Sequence, residues 1–141
     1  MQFEYKVEGG DFSNAGMASS DVKKILKQLN VDFKVIKRVV VALYEAEVNI
    51  VAHAHRGVIY VNVDKDKIII KLIDEGPGIP DISQAMQEGY STASQKVREM
   101  GFGAGMGLAN INRNVDKLDI KSEVGKGTSI EIMNYLDGRA V

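Results

Sequence analysis

The chain contains no cysteine, which removes disulfides and thiolate metal sites from consideration. It has almost no excess charge: 18 Lys and Arg against 19 Asp and Glu leave −1. That balance gives no electrostatic footprint for a polyanion, so nucleic acid is not an expected partner. Its longest apolar runs fall far short of a bilayer's width, so no membrane association is expected either. The opening Met1-Gln2-Phe3-Glu4-Tyr5 lacks the basic patch and apolar stretch of a secretion signal, and the expected location is cytoplasmic. Linkers, repeats and low-complexity tracts are also missing. What is present is ordinary globular composition, 45% hydrophobic and 26% charged, over 141 residues. That is enough for one real core, and residues 1–141 are expected to form a single domain.

Strand and helix signals alternate along the chain. Phe3, Tyr5 and Val7 alternate with polar residues as in an edge strand, which Gly9-Gly10 ends. From about Ala15 to Leu29, the apolar residues Met17, Val22, Ile25, Leu26 and Leu29 follow helical spacing, with Ser19, Ser20 and Asp21 available as caps. A second helix, about Phe33 to Ala54, is apolar nearly all round and should lie deep in the fold. Ile59, Val61 and Val63, then Ile68 to Ile73, are β-branched runs joined by Asp64-Lys65-Asp66-Lys67, as in an antiparallel hairpin. Residues 80–106 have no sustained period apart from a short helix around Ile82 to Glu88; a segment that long is usually functional and reads as a lid. A helix from Gly107 to about Leu118 follows, then strands near Asp119 to Glu123 and Thr128 to Tyr135 flanking a Gly125-Lys126-Gly127 turn.

The buried helix carries polar residues that need a reason. Glu45, Asn49 and His53 are four apart and occupy a stripe about 80° wide on one face. A carboxylate there can take a proton from an attacking hydroxyl or water, and an amide oxygen one turn on can ligate a Mg²⁺ that bridges phosphates. Glu47 lies about 200° round the helix from Glu45, so only one of them can face a site. The spacing to Asn49 selects Glu45 and leaves Glu47 as the control for the site. Asp74 ends an apolar strand ahead of Gly76, Pro77 and Gly78, where a carboxylate can accept from an exocyclic amine such as adenine's. Glycines 101, 103, 105 and 107 then lead into a helix start, a natural phosphate cradle.

The ordered set Glu45-x-x-x-Asn49, Asp74-x-Gly76-x-Gly78-Ile79, Gly103-x-Gly105-x-Gly107-Leu108 and Gly127-Thr128 resembles the GHKL ATPase superfamily across about residues 40–132. With Ala85 to Thr92, it most resembles the small bacterial switch kinases of the RsbT type and the related anti-sigma factors RsbW and SpoIIAB. The resemblance implies an α+β fold: a two-layer sandwich of a mixed, mostly antiparallel sheet with helices on one face. It also implies ATP and Mg²⁺ as cofactors. Glu45 would be the general base and Asn49 the metal ligand. Asp74 would contact the adenine, with Gly78 a backbone neighbour of the base and Thr128 supporting the adenine through water; Gly103, Gly105 and Gly107 would hold phosphates, and Gly76, Ile79, Met106 and Leu108 would complete the nucleotide-binding set. His53 is open between a phosphate contact and a hydrogen-bonded buried histidine. Lys96 and Arg98 are open between the γ-phosphate and solvent.

Three functions fit this pattern. One is a serine/threonine kinase acting on a STAS-domain antagonist. Another is a nucleotide-gated module binding a sigma factor or a PP2C-type phosphatase, with homodimerisation open. The third is a stand-alone histidine-kinase catalytic domain, disfavoured because both histidines, His53 and His55, fall at the pocket helix.

Overall fold

The structure, a computed structural model, describes residues 1–87 and 107–137. Strand β1 (Gln2–Glu8) leads through a 3₁₀ turn at Phe12–Asn14 into helix α1 (Met17–Gln28), then α2 (Phe33–His53). Strands β2 (Arg56–Val63) and β3 (Lys67–Glu75), the short α3 (Ile82–Ala85), α4 (Gly107–Asn114), β4 (Lys117–Glu123) and β5 (Gly127–Tyr135) complete the order. The sheet runs β1-β2-β3-β5-β4, with β1 at one edge as its alternation implied. Among the described residues the four pairings are all antiparallel, in keeping with the mostly antiparallel sheet expected.

One face of the sheet carries the core. Ile59, Val61 and Val63 of β2 alternate inward, as do Ile68, Ile70 and Leu72 of β3 and Ile130 and Ile132 of β5. They meet Val39, Leu43, Ala46 and Ile50 of α2, Val22 and Leu26 of α1, and Leu108 and Ile111 of α4 in one cluster. Each large aliphatic so buried contributes about 1.5–3 kcal/mol against the entropy of folding. Helix α2 is the spine of this layer, as its apolar composition required. Asp32 caps it by accepting from the Lys34 amide at 2.8 Å. Among the described residues, no helix is long and apolar enough to cross a membrane.

Three sequence expectations are corrected here. Helix α1 is not capped by Ser19, Ser20 or Asp21: Gly16 is its N-cap, in a left-handed conformation at φ 96°, with no side-chain cap of its own. Its amides are taken instead by Glu47 of α2, which is 2% exposed. Oε2 accepts from Gly16 N at 3.0 Å and Ala18 N at 3.2 Å, and Oε1 accepts from Ser19 N at 3.2 Å. Glu47 points away from Glu45, as the spacing implied, and as a buried carboxylate on a helix N-terminus it is a structural tie.

The helix after the glycine loop stops at Asn114 rather than near Leu118. Asn114 turns its amide back onto the Asn110 carbonyl, and the Asp116 amide is captured by the Met133 carbonyl of β5. The short helix expected to reach Glu88 ends at Ala85, and Ala85 and Met86 are packed against the core. The first residues of the expected lid are therefore anchored; residues 88–106 lie outside the described residues.

Candidate functional site

Two clusters meet at the C-terminal half of α2. The first joins α2 to α4. Glu45 and Asn49 are both partly buried. Asn110 Nδ2 donates to Glu45 Oε1 at 3.2 Å. One turn on along α2 and one turn back along α4, a Cβ on Gly107 would lie 3.1 Å from Asn49 Oδ1. A side chain there would crowd the Asn49 amide, which would have to give by a few tenths of an ångström. Asn49 makes no hydrogen bond to a described residue, which leaves its oxygen available for a ligand.

The second cluster lies at the ends of β3 and β5. Asp74 continues the inward stripe of Ile70 and Leu72, so its carboxylate points to the helix layer rather than to solvent. Its Oδ1 accepts from Thr128 N at 3.0 Å, and Oδ2 makes no hydrogen bond to a described residue. Burial raises its pKa above the ordinary carboxylate value, opposed by the Thr128 amide. The close approach requires a glycine, since a Cβ at Gly127 would sit 2.0 Å from the Asp74 carbonyl. The Thr128 hydroxyl is 2.9 Å from Ser122 Oγ, which in turn accepts from Ile79 N at 2.7 Å.

The loop bearing Gly76 and Gly78 is stitched to the β4–β5 turn by Gly76 N donating to Lys126 O at 3.0 Å and Gly125 N donating to Pro77 O at 2.9 Å. Gly78 has φ 76°, and a Cβ there would meet the Glu123 carbonyl at 2.5 Å. Gly76 packs against Ala54, the residue after His53, which brings the two clusters to one helix end.

Of the residues singled out in the sequence, Glu45, Asn49 and Gly107 are brought together, as are Asp74, Gly76, Gly78, Ile79 and Thr128. Leu108 buries its side chain in the core, so what it can present to a ligand is backbone. The Ile79 amide is already engaged by Ser122. His53 is partly buried and hydrogen-bonds to no described residue; burial lowers its pKa, keeping the imidazole neutral near pH 7. Gly103, Gly105 and Met106 lie outside the described residues, as do Lys96 and Arg98. Sequence reasoning missed Asn110 and Ser122. Only the helical offset of three between Gly107 and Asn110, matching the offset of four between Asn49 and Glu45, could have flagged the first.

Among the described residues no group of three or more His, Cys, Asp or Glu could hold a metal ion by itself. A magnesium site at Asn49 fits that: one amide oxygen from the protein, the remaining oxygens from phosphates and water. The amides at the start of α4 and the positive end of its dipole favour an anion at the same place.

The family described as histidine kinase-, DNA gyrase B- and HSP90-like ATPase matches residues 34–137, spanning both clusters. An anti-sigma F factor of Thermoanaerobacter sp. (strain X514) is 32% identical over 128 residues, covering 87% of this chain and 86% of its own. The serine/threonine-protein kinase RsbT of Bacillus subtilis is 35% identical over 103 residues, covering 70% and 71%. Among solved structures, the RsbU and RsbW domains of a Mycobacterium tuberculosis protein align over the whole chain with a TM-score of 0.64 at 16% identity. This chain spans about a third of that one, 34%. The mycobacterial sensor histidine kinase MprB aligns over 96% of this chain with a TM-score of 0.54 at 15% identity. At those identities the two structures speak for the fold alone.

Proposed function

The chain belongs to the histidine kinase-, DNA gyrase B- and HSP90-like ATPase family, and from that membership we propose that it is an ATP-dependent serine/threonine kinase of a partner-switching system. The acceptor is a Ser or Thr hydroxyl on a STAS-domain antagonist protein. The observation that carries this reading is the convergence of Glu45 and Asn49, one turn apart on α2, upon the N-terminal turn of α4. The relatives named as a serine/threonine kinase and as anti-sigma F factors support it.

Each part of the site then has a task. Asp74 Oδ2 accepts from the exocyclic amine of adenine, and the loop through Gly76 and Gly78 gives the base a backbone floor. The amides at Gly107 and Leu108 receive the phosphate charge. Asn49 would hold a magnesium ion, which when bound would neutralise developing charge on the phosphates. Glu45 takes the proton of the seryl hydroxyl as its oxygen bonds to the γ-phosphorus. The bond from that phosphorus to the β–γ bridging oxygen breaks, and ADP leaves with the electron pair. Phosphoryl transfer asks for positioning more than covalent work, and the base supplies about 10²–10⁴-fold of the acceleration.

A second reading is favoured by the several relatives named anti-sigma F factor: the same chain holding a sigma factor, or a PP2C-type phosphatase, in a nucleotide-dependent grip. The two readings are compatible in one domain spanning 1–141, working in the cytoplasm as a monomer or homodimer. The test mixes the chain, labelled ATP and a co-encoded STAS protein, with Glu45→Ala beside the wild type. Transfer lost in the variant with ATP binding kept supports the kinase. Equal transfer in both rejects Glu45 as base, and no transfer with tight partner binding leaves the binding module.

A further inference from the structure

Asn110 is the residue in the site that neither the sequence motifs nor the proposed reaction accounts for. Among the described residues its side chain has two hydrogen-bond partners. Arg113 Nη2 donates to Asn110 Oδ1 at 2.8 Å, and Asn110 Nδ2 donates to Glu45 Oε1 at 3.2 Å. A guanidinium has only donors, so it fixes the amide with its oxygen outward and its NH₂ toward the carboxylate. The orientation that serves Glu45 is thereby set by a neighbour one turn along α4.

The backbone beneath is fixed too. The Asn110 carbonyl accepts from Asn114 Nδ2 at 2.8 Å, and the Asn114 carbonyl accepts from Asn134 Nδ2 at 2.9 Å, with Asn134 only 1% exposed. Asp116, just beyond the helix, is tied to Arg38 of α2 at 3.2 Å and to the Tyr135 amide at 2.8 Å. Helix α4 is thus braced at its far end against both α2 and β5. The donor reaching Glu45 sits on a rigid element, as a preorganised site requires.

We propose that Asn110 is a positioning residue for the general base, holding Glu45 Oε1 so that Oε2 is the oxygen left to receive the acceptor hydroxyl's proton. This rests on the kinase reading of the site. An unheld glutamate on a helix samples several rotamers, and only those aimed at the hydroxyl are productive. The bond from Asn110 removes the others.

The test compares wild type, Asn110→Ala and Asn110→Asp in phosphoryl transfer to the co-encoded STAS protein, with ATP affinity measured calorimetrically for each. Asn110→Ala is expected to lower kcat about tenfold, part of what a general base supplies, with the KM for ATP within about twofold. Asn110→Asp keeps the volume and the Arg113 contact but sets a second carboxylate against Glu45. It is expected to lower kcat further and to move the acid limb of the pH–rate profile to higher pH. Wild-type transfer with both variants matching it in kcat and pH profile overturns the assignment. So does a parallel loss of kcat and ATP affinity in Asn110→Asp, which would mark Asn110 as a packing residue. A wild-type chain that binds ATP and transfers nothing overturns the kinase reading and this role with it, and the wild-type sample alone distinguishes that failure.

Discussion

Replacing Glu47 should cost the protein a large part of its stability, although Glu47 touches neither of the clusters assigned to ATP. The side chain is 2% exposed and accepts from three backbone amides, Gly16, Ala18 and Ser19, at 3.0 to 3.2 Å. A hydrogen bond to a charged acceptor is worth about 1.5–3 kcal/mol, and helix α1 has no other side-chain cap at that end. Part of the loss is recovered because the freed turn can open to water. Glu47→Ala is therefore expected to lower unfolding stability by about 3–5 kcal/mol, in line with the removal of one partner from a buried charged network. Against a total of about 5–15 kcal/mol for a domain this size, that lowers the melting temperature by roughly 10–20 °C. Glu47→Gln retains one oxygen with two lone pairs and should lose less, about 1–3 kcal/mol. Glu45→Ala, which removes a partly buried side chain with one bond to an amide, should stay within about 1 kcal/mol of wild type. Urea titration followed by circular dichroism measures all three. A Glu47→Ala protein within about 1 kcal/mol of wild type would refute the claim that this carboxylate ties α1 to α2.

Gly78→Ala should destabilise by about 2–4 kcal/mol, because φ 76° strains an alanine and its Cβ would meet the Glu123 carbonyl at 2.5 Å. Gly10→Ala, at φ 80° with nothing within 4 Å, isolates the backbone strain and should cost only about 1–2 kcal/mol; equal losses in the same urea titration would reject the clash. His53 has its folded pKa lowered by burial, so the unfolded chain binds the extra proton and stability is lost as pH falls through the ordinary histidine value, about 6.5. The melting temperature should drop between pH 7.5 and 5.5, and less so in His53→Gln; an identical drop in both would clear His53 of the effect. Asp74 has the opposite sign: its raised folded pKa stabilises the fold at the acid end, and this is lost as pH rises from the ordinary carboxylate value through the raised one. An amine donating to that carboxylate favours its charged form, so ATP binding within this window should release a proton and at pH 7.5 none from Asp74. Calorimetric titrations in buffers of different ionisation heat read this directly, and proton uptake in the window would contradict Asp74 as the adenine acceptor.

Much of the layout was legible because it follows local periodicities. The β-branched runs ending at Val63 and Ile73 and the polar turn between them marked the hairpin, while which face of it is buried, the face that carries on to Asp74, came from the structure. The offset of four placed Glu45 and Asn49 on one side of a helix that had to be buried. Capping went wrong at α1 because local sequence offers Ser19, Ser20 and Asp21 as candidates but does not encode that an acid 31 positions beyond Gly16 will arrive at the same amides.

By itself, then, the chain determined which residues share a strand face or a helix stripe, since those relations repeat every two or every 3.6 residues and need no partner. Only the tertiary structure decided what each stripe meets: Glu47 the start of α1, Glu45 the amide of Asn110, and Thr128 both Asp74 and Ser122. These pairings join residues 6 to 65 positions apart, and side-chain groups so separated are matched by the packing of the sheet and its helices, which no local period records.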